Sequence, residues 1–358
     1  MYYCKNVLHL RPNEKKELNA AEYGNVAHYV LCAMLKKYID GDTRKFINLS
    51  REALENDIAL FSDEYIEREL AGRFAKKNSF DFFLDLLRRT LLDVLLNMQD
   101  EFSQSDFVPT EFEASVGVRR YDPSKVGNDG GTPVLIDIDD IHKVSFCGTA
   151  DRVDIYNSED GSYIRVLDYK TGRKELNMRQ LAFGINMQMF MYLFVLTDKT
   201  AGKYKDSTPA GVLYYHIDLP DQLKKRSVED EELVKYKSDS LKMFGAISDD
   251  PKIIKAMEHD MAGKFVPVPE VDKKSIFMNS RIEEGLRKYS IEMLKDMGKN
   301  IFEGNIPAIP LSDSGICTEP CKYCSFAQIC SFGGEYETYT PDKENENKII
   351  SEIFGEEE

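Results

Sequence analysis

Asp168 and Lys170 stand two residues apart in the segment Leu167-Asp-Tyr-Lys-Thr-Gly172. Side chains two apart on a strand project to the same side, so this spacing puts a carboxylate and an ammonium on one face. Upstream, Gly148-Thr-Ala-Asp151-Arg-Val-Asp154 reads as a neighbouring strand, and Asp160-Gly161 between them is a hairpin turn pair. The hairpin brings Asp151 within reach of Asp168 and Lys170. Two carboxylates and an ammonium at one spot suit phosphodiester hydrolysis. Mg²⁺ takes oxygen ligands, binding through one or two carboxylates plus phosphate oxygens. Such a metal lowers the pKa of a bound water and stabilises charge on the phosphate. A lysine beside it can orient or help deprotonate the attacking water, or pair with the phosphate. An isolated Asp-x-Lys is common on solvated hairpins; the Gly-x-x-Asp on the partner strand sets this one apart.

The surrounding pattern supplies the elements that must position these groups. Asn19-Ala-Ala-Glu22 reads as a capping box opening a helix over about 20–38. Residues 43–102 carry Leu, Phe, Arg and Glu at helical spacing, with a break at Asn78-Ser79, and read as a helical insertion. From Glu111 onward β-branched and aromatic residues dominate, giving strands in EFEASVGV, PVLIDID, VSFCGTADRVDIY and YIRVLDYK. Asn177 predicts the cap of a helix over Met178–Thr197, followed by a strand over 211–217. Residues 221–243 are charged and read as helix or loop, and 278–303 as a helix. The expected architecture is α/β, a mixed central sheet flanked by helices. The expected partition is a first helix over 1–40, the helical insertion over 41–105, the core over 106–304, a cysteine-rich staple over 305–336 and an acidic mobile tail over 337–358. The chain has no internal repeat and no phosphate-binding motor loop of its own.

The chain of 358 residues is 42% hydrophobic and 30% charged, which is the balance of a globular protein. It has no apolar run long enough to span a membrane and no signal peptide, so a cytoplasmic address is the default. Its net charge of -15 argues against broad non-specific wrapping of DNA. A metal ion neutralising one scissile phosphate is compatible with that charge.

Four motifs now resemble, in order, those of RecB-like nucleases of the PD-(D/E)XK type. Gly24-Asn-Val-Ala-His28 is similar to their G-x-x-x-H, GTADRVD to their second motif, LDYKTG to their third, and Gln188-Met-Phe-Met-Tyr192 to their Q-x-x-x-Y. The resemblance is strongest to the C-terminal nuclease of AddB proteins. It implies that His28, Asp151 and Asp168 ligate Mg²⁺ or Mn²⁺, and that Lys170 is the catalytic lysine. It also implies that Gln188 and Tyr192, four apart on one helix face, contact DNA or organise the site. Taken alone, His28 reads as a core residue, and Gln188 and Tyr192 lie in an apolar stripe with Met187, Phe190, Met191 and Phe194. Glu113 is either a further acidic site residue or an exposed strand carboxylate. Arg173, Lys174 and Arg179 are either phosphate contacts or a solvated charge run. Arg152 and Asp154 read as a structural pair.

Four of the seven cysteines, Cys317, Cys321, Cys324 and Cys330, cluster near the C-terminus. That clustering favours a metal over disulfides in a cytosolic chain, though C-x2-C spacing alone does not choose zinc over iron–sulfur. Cys321-x2-Cys324-x5-Cys330 resembles the C-terminal half of the iron–sulfur staple of AddB proteins and CRISPR-associated exonucleases, which implies a [4Fe–4S] cluster. The family's upstream Cys-Pro-aromatic segment is absent, leaving Cys4 or Cys317 as substitutes for the fourth ligand. The opening Tyr2-Tyr3-Cys4-Lys5 resembles the stretch after that segment, so a longer parent with an N-terminal helicase-like region is expected. Cys32 and Cys147 read as buried small apolar residues. The implied function is cleavage of single-stranded DNA fed by a helicase, beside an AddA-like subunit, in the processing of double-strand ends. The rivals are a non-catalytic nuclease-like scaffold and a stand-alone exonuclease of the CRISPR-associated kind.

Overall fold

Most of the β-forming stretch that begins at Val108 enters one six-stranded sheet. The computed structural model describes residues 3–10, 20–70, 78–117, 134–171, 176–217, 240–269, 271–272, 275–307, 309–311, 321, 324–330 and 343–355. The strands are β1 (Val108–Val116), β2 (Leu135–Asp137), β3 (Lys143–Ser145), β4 (Gly148–Ser158), β5 (Gly161–Lys170), β6 (Ser207–His216), β7 (Phe244–Ser248) and β8 (Ile276–Met278). The sheet order is β1-β4-β5-β6-β7-β8, and β2 with β3 forms a separate two-stranded ribbon. The β5–β6 and β7–β8 pairs are parallel and the rest antiparallel, so the sheet is mixed as expected. The β4–β5 hairpin turns where Asp160-Gly161 predicts, with Gly161 at a φ of 141°.

Helices cover both faces. They are α1 (Ala20–Tyr38), α2 (Arg44–Ile47), α3 (Arg51–Leu70), α4 (Asn78–Ser103), α5 (Met178–Ala182), α6 (Gln188–Leu196), α7 (Pro251–Met257), α8 (Ser280–Phe302), α9 (Ala327–Cys330) and α10 (Lys343–Phe354). On one face α1, α3 and α4 bury Leu31, Leu54, Ile58, Leu91 and Leu95 with the sheet's Leu167, Leu213 and Tyr215. The residues expected as an insertion therefore form one wall of the core. On the other face α6, α8 and α10 pack Phe190, Leu193, Leu286 and Ile353 against Ile164, Val166 and Val212. Alternation along β5 sends Leu167 and Tyr169 to the first face, and Ile164, Val166 and Asp168 to the second.

Three expectations about elements change. The single helix over Met178–Thr197 is two helices, α5 and α6. Asn177 caps α5 as predicted, its side chain accepting from the Gln180 amide at 2.8 Å. The chain then turns through left-handed backbone at Gly184 (φ 72°) and Asn186 (φ 63°), which no α-helix continues through. The second change is at the acidic tail expected to be mobile. It carries α10, whose Ile349, Ile353 and Phe354 join the second core, while Arg179 Nη2 donates to Glu346 at 2.8 Å. The third is the short elements β7, α7 and β8, which extend the sheet beyond the strands read from sequence. The capping box at Asn19 and the segment 221–239 lie outside the described residues.

The Arg152–Asp154 structural pair is present and belongs to a larger group. Arg152 and Arg165 each donate to Asp154 and to Glu101, at 2.6 to 3.1 Å, and all four side chains are fully buried. The two guanidiniums also lie 4.9 Å from the ring centres of Phe102 and Phe107.

Candidate metal and active site at a strand fork

The β4–β5 ladder ends at Arg152↔Leu167. Beyond it β4 stays paired to β1 as far as Val116↔Gly148, and β5 stays paired to β6 as far as Lys170↔His216. The two strands therefore part where Asp151 and Asp168 would be the next opposed pair. Backbone groups exposed at a fork need partners. Here the Tyr169 amide donates to Asp151 Oδ2 at 2.7 Å, and the Tyr169 carbonyl lies 2.9 Å from His28 Nε2.

That second contact decides how His28 faces the site. A carbonyl only accepts, so Nε2 carries the hydrogen and a neutral ring keeps its lone pair on Nδ1. Nδ1 faces Asp151 Oδ2 at 3.3 Å. The same backbone residue thus orients both the histidine and the aspartate. Burial works against a charged His28, but the hydrogen bond to Asp151 and the charges of Asp151, Asp168 and Glu113 outweigh it and raise its pKa.

Glu113 completes the group. It sits between the pairs Phe112↔Arg152 and Ala114↔Ala150, which places it opposite Asp151 across the β1–β4 ladder. Its φ of 52° is unusual for a strand residue without glycine's freedom. His28, Glu113 and Asp151 each offer a ligand atom, and these atoms lie within 4.8 Å of one another. Like charges opposed across strands are unfavourable. Desolvation first, and then the charge of Asp151, raise the pKa of both Glu113 and Asp168. Carboxylates crowded against one another beside an imidazole lone pair form a donor set that a divalent cation fits, since it removes the repulsion that the fold otherwise sustains. Asp168 also pairs with Lys170, Nζ to Oδ2 at 2.5 Å.

Gln188 and Tyr192 stand as a second layer. The Gln188 amide donates to the Tyr192 hydroxyl, and that hydroxyl lies 3.3 Å from the Thr149 amide at the start of β4. Tyr192 is buried and packs on Phe146, ring centres 5.5 Å apart. Its approach explains Gly148, where a Cβ would lie 2.3 Å from the tyrosine hydroxyl. Gly148→Ala is therefore expected to push Tyr192 aside. The cost should be about 1–3 kcal/mol of stability, together with a loss of metal-dependent cleavage. Thermal melting and a cleavage assay check this, and an unchanged melting temperature would show that the close approach is not needed.

Other expected site residues part company. Arg179 is engaged with Glu346, which gives it a structural partner where a phosphate contact was one reading. Arg173 and Lys174 lie outside the described residues, as does Cys317. Cys4 lies in a π-helical turn (Tyr3–Val7). Cys321 and Cys324 are half-buried and Cys330 is exposed. Among the described residues these thiols do not gather at metal-ligand spacing; only His28, Glu113 and Asp151 do. Phe326, just before the short α9, is buried, and Cys330 at the end of that helix faces outward. Cys32 is half-buried and Cys147 exposed, so neither is the buried apolar residue expected. Cys147 lies in the link between β3 and β4, where little packs over it.

The Tyr169 backbone, which holds both His28 and Asp151, left no mark in the sequence because its side chain has no part in those contacts. From sequence Glu113 reads either way, because neither residue type nor alternation marks a left-handed kink.

Known proteins resemble this chain over most of its length. The chain is similar to the B subunit of the ATP-dependent helicase/deoxyribonuclease of Alkaliphilus oremlandii, 26% identical over 358 residues, covering 97% of this chain and 30% of that protein. It matches the protein of the same name in a Thermoanaerobacter species at 25% identity, covering 96% of this chain and 30% of that protein. The Acetivibrio thermocellus counterpart is 26% identical, covering 98% and 30% respectively. The chain thus spans about 30% of the length of these curated relatives. The family model for the PD-(D/E)XK nuclease superfamily matches residues 1–331, and the chain belongs to that superfamily.

Proposed function

We propose that this chain is a Mg²⁺- or Mn²⁺-dependent deoxyribonuclease module, acting on single-stranded DNA as an exonuclease within a helicase–nuclease of the kind its relatives are named for. The observation that carries the reading is the strand fork, which gathers His28, Glu113 and Asp151 beside Asp168 and Lys170. In this reading His28, Asp151 and Asp168 hold the metal, with Glu113 as a further ligand. The bound metal supplies an activated water and neutralises charge on the scissile phosphate. Lys170 contributes an ammonium beside Asp168, placed to orient the water or pair with a phosphate oxygen. Gln188 and Tyr192 fix the start of β4 and so the position of Asp151. The family match supports the nuclease class. Among the described residues no helix is long and apolar enough to cross a membrane, and a cytoplasmic site of action beside an AddA-like subunit and a helicase-like region is part of the proposal. The biological task would be the processing of double-strand ends. The test is digestion of end-labelled single-stranded DNA with Mg²⁺, Mn²⁺ or EDTA. Degradation from an end in either metal and none in EDTA is expected. Binding without cleavage in every metal would instead identify a non-catalytic scaffold.

The cysteine spacing supports a second element of the proposal, an iron–sulfur staple formed by Cys321, Cys324 and Cys330 with Cys4 or Cys317 as the substitute for a fourth ligand. An incomplete thiolate set holds a cluster insecurely. The chain purified in air is therefore expected to contain well under one iron per molecule. Iron and acid-labile sulfide analysis decides this, and about four irons surviving in air would show that Cys4 or Cys317 is a full ligand.

A further inference from the structure

Glu113 faces more than the metal-type cluster. It also lines a groove of about 770 Å³ between α1 and β1, whose wall includes Lys36, Thr110, Glu111, Ser115 and Lys203. Three observations bear on what this groove holds. First, Lys36 belongs to the same helix as His28, with Cys32 midway, at successive four-residue steps. Eight residues of helix advance about 12 Å, so the lysine sits a short distance along the helix from the histidine. Lys36 is exposed, forms no ion pair among the described residues, and its charge acts on Glu113.

Second, the acidic groups of the groove are engaged. Glu111 pairs with Lys203 at 2.8 Å and accepts from the Tyr204 hydroxyl, and Glu113 belongs to the metal-type cluster. Among the described residues Lys36 is therefore the groove's cation without a carboxylate partner, its ammonium beside the Cys32 thiol one turn back, on a chain whose net charge is -15. Third, the groove runs along an outer strand of the sheet, since β1 pairs only with β4 among the described residues. An open edge invites a peptide strand. This one is broken by Pro109, by a register shift between Pro109 and Glu111, and by the left-handed Glu113. Proline and a bulge on an edge block strand addition. The surface thus disfavours an added β-strand while keeping hydroxyls, an ammonium without a carboxylate partner and an opening onto the ligand cluster.

We propose that the α1–β1 groove carries the DNA strand on one side of the scissile phosphate, with Lys36 holding a neighbouring phosphate. This rests on the nuclease reading above. Phosphate contacts of this kind position a strand without reading its sequence. The role is one of binding and positioning: Lys36 would act on the substrate's backbone, away from the reacting atoms.

The test uses the full chain and a fluorescein-labelled single-stranded oligothymidine in EDTA, where no hydrolysis occurs, read by anisotropy across a salt series. Lys36→Ala should weaken binding about three- to tenfold and lower the slope of log affinity against log salt by about 0.7, the value for one lost phosphate contact on a single strand. Lys36→Arg should restore most of both. Thermal melting should be unchanged, since the side chain is exposed. Wild-type affinity and slope in Lys36→Ala, with the parent chain cleaving DNA normally, would overturn the groove assignment alone. A parent chain that neither binds nor cleaves DNA in any metal would overturn the nuclease reading and the groove with it.

Discussion

Replacing Asp168 or Lys170 by alanine is expected to lower metal-dependent DNA cleavage by roughly 10²–10⁴-fold, the range for loss of a positioned acid, base or electrostatic group. The two side chains meet on the face of β5 that turns toward α6, just beyond the last rung of the β4–β5 ladder. Among the described residues Lys170 is the ammonium paired to Asp168. The fold should not suffer from loss of the aspartate. Burial, and then the charge of Asp151, hold the Asp168 carboxyl above the usual carboxylate range. The folded state therefore binds that proton more tightly than the unfolded chain does. The stability it contributes is present at acid pH and is lost as pH rises through the carboxyl's titration. At neutral pH the ionised group is a burden on the fold, and Asp168→Asn should melt no lower than the parent while losing activity. Single-turnover cleavage with saturating Mg²⁺, paired with thermal melting, checks both halves. Near-parental cleavage by either alanine variant would remove Asp168 and Lys170 from the chemistry.

The contrast between what could be read from sequence and what could not follows the range of the forces involved. The hairpin that carries Asp151 and Asp168 was legible because its signals are local: alternation on both sides of Asp160-Gly161. The span of α1 and the cap at Asn177 were legible for the same reason. Convergence of His28 on that hairpin followed from the ordered motifs and was not derivable from helix periodicity. The fork itself was hidden, because a ladder's end depends on which neighbour each strand keeps, and β1 and β6 decide that from elsewhere in the chain. The split between α5 and α6 was hidden by residues that all favour helix except Gly184 and Asn186. The acidic composition of the tail concealed Ile349, Ile353 and Phe354, whose spacing marks the apolar face of α10. Asp250-Pro251 was a helix start in plain view, with the Asp250 side chain capping the Lys252 amide at 2.8 Å. Lys36 has no signature in the sequence, because one exposed lysine carries no pattern.

The largest effect on stability is expected at the buried ionic group behind the fork. Glu101, Arg152, Asp154 and Arg165 are two cations and two anions with no exposure to solvent, so the group is neutral as a whole. Charges in such a place are tolerable only in balance, because each one taken from water costs several kcal/mol that its partners offset. Arg165→Met removes one cation and leaves an uncompensated buried carboxylate. That should cost about 3–5 kcal/mol, a large fraction of the roughly 5–15 kcal/mol typical of a folded domain. Glu101→Met should cost a similar amount by stranding a guanidinium. The double variant is the informative one. With Glu101 and Arg165 both gone, Arg152 and Asp154 still form a two-pronged pair, Nε to Oδ1 and Nη2 to Oδ2 each at 2.7 Å, and the new side chains join Phe102 and Phe107 as apolar neighbours. Glu101→Met/Arg165→Met should therefore be more stable than either single variant, a non-additivity of at least about 2 kcal/mol. Chemical denaturation of the four proteins measures it. Additive losses would mean that the two residues act independently. Because Arg152 forms the last rung before Asp151, the single variants should also loosen the fork and lose cleavage activity below their melting temperatures, and the double variant should regain it.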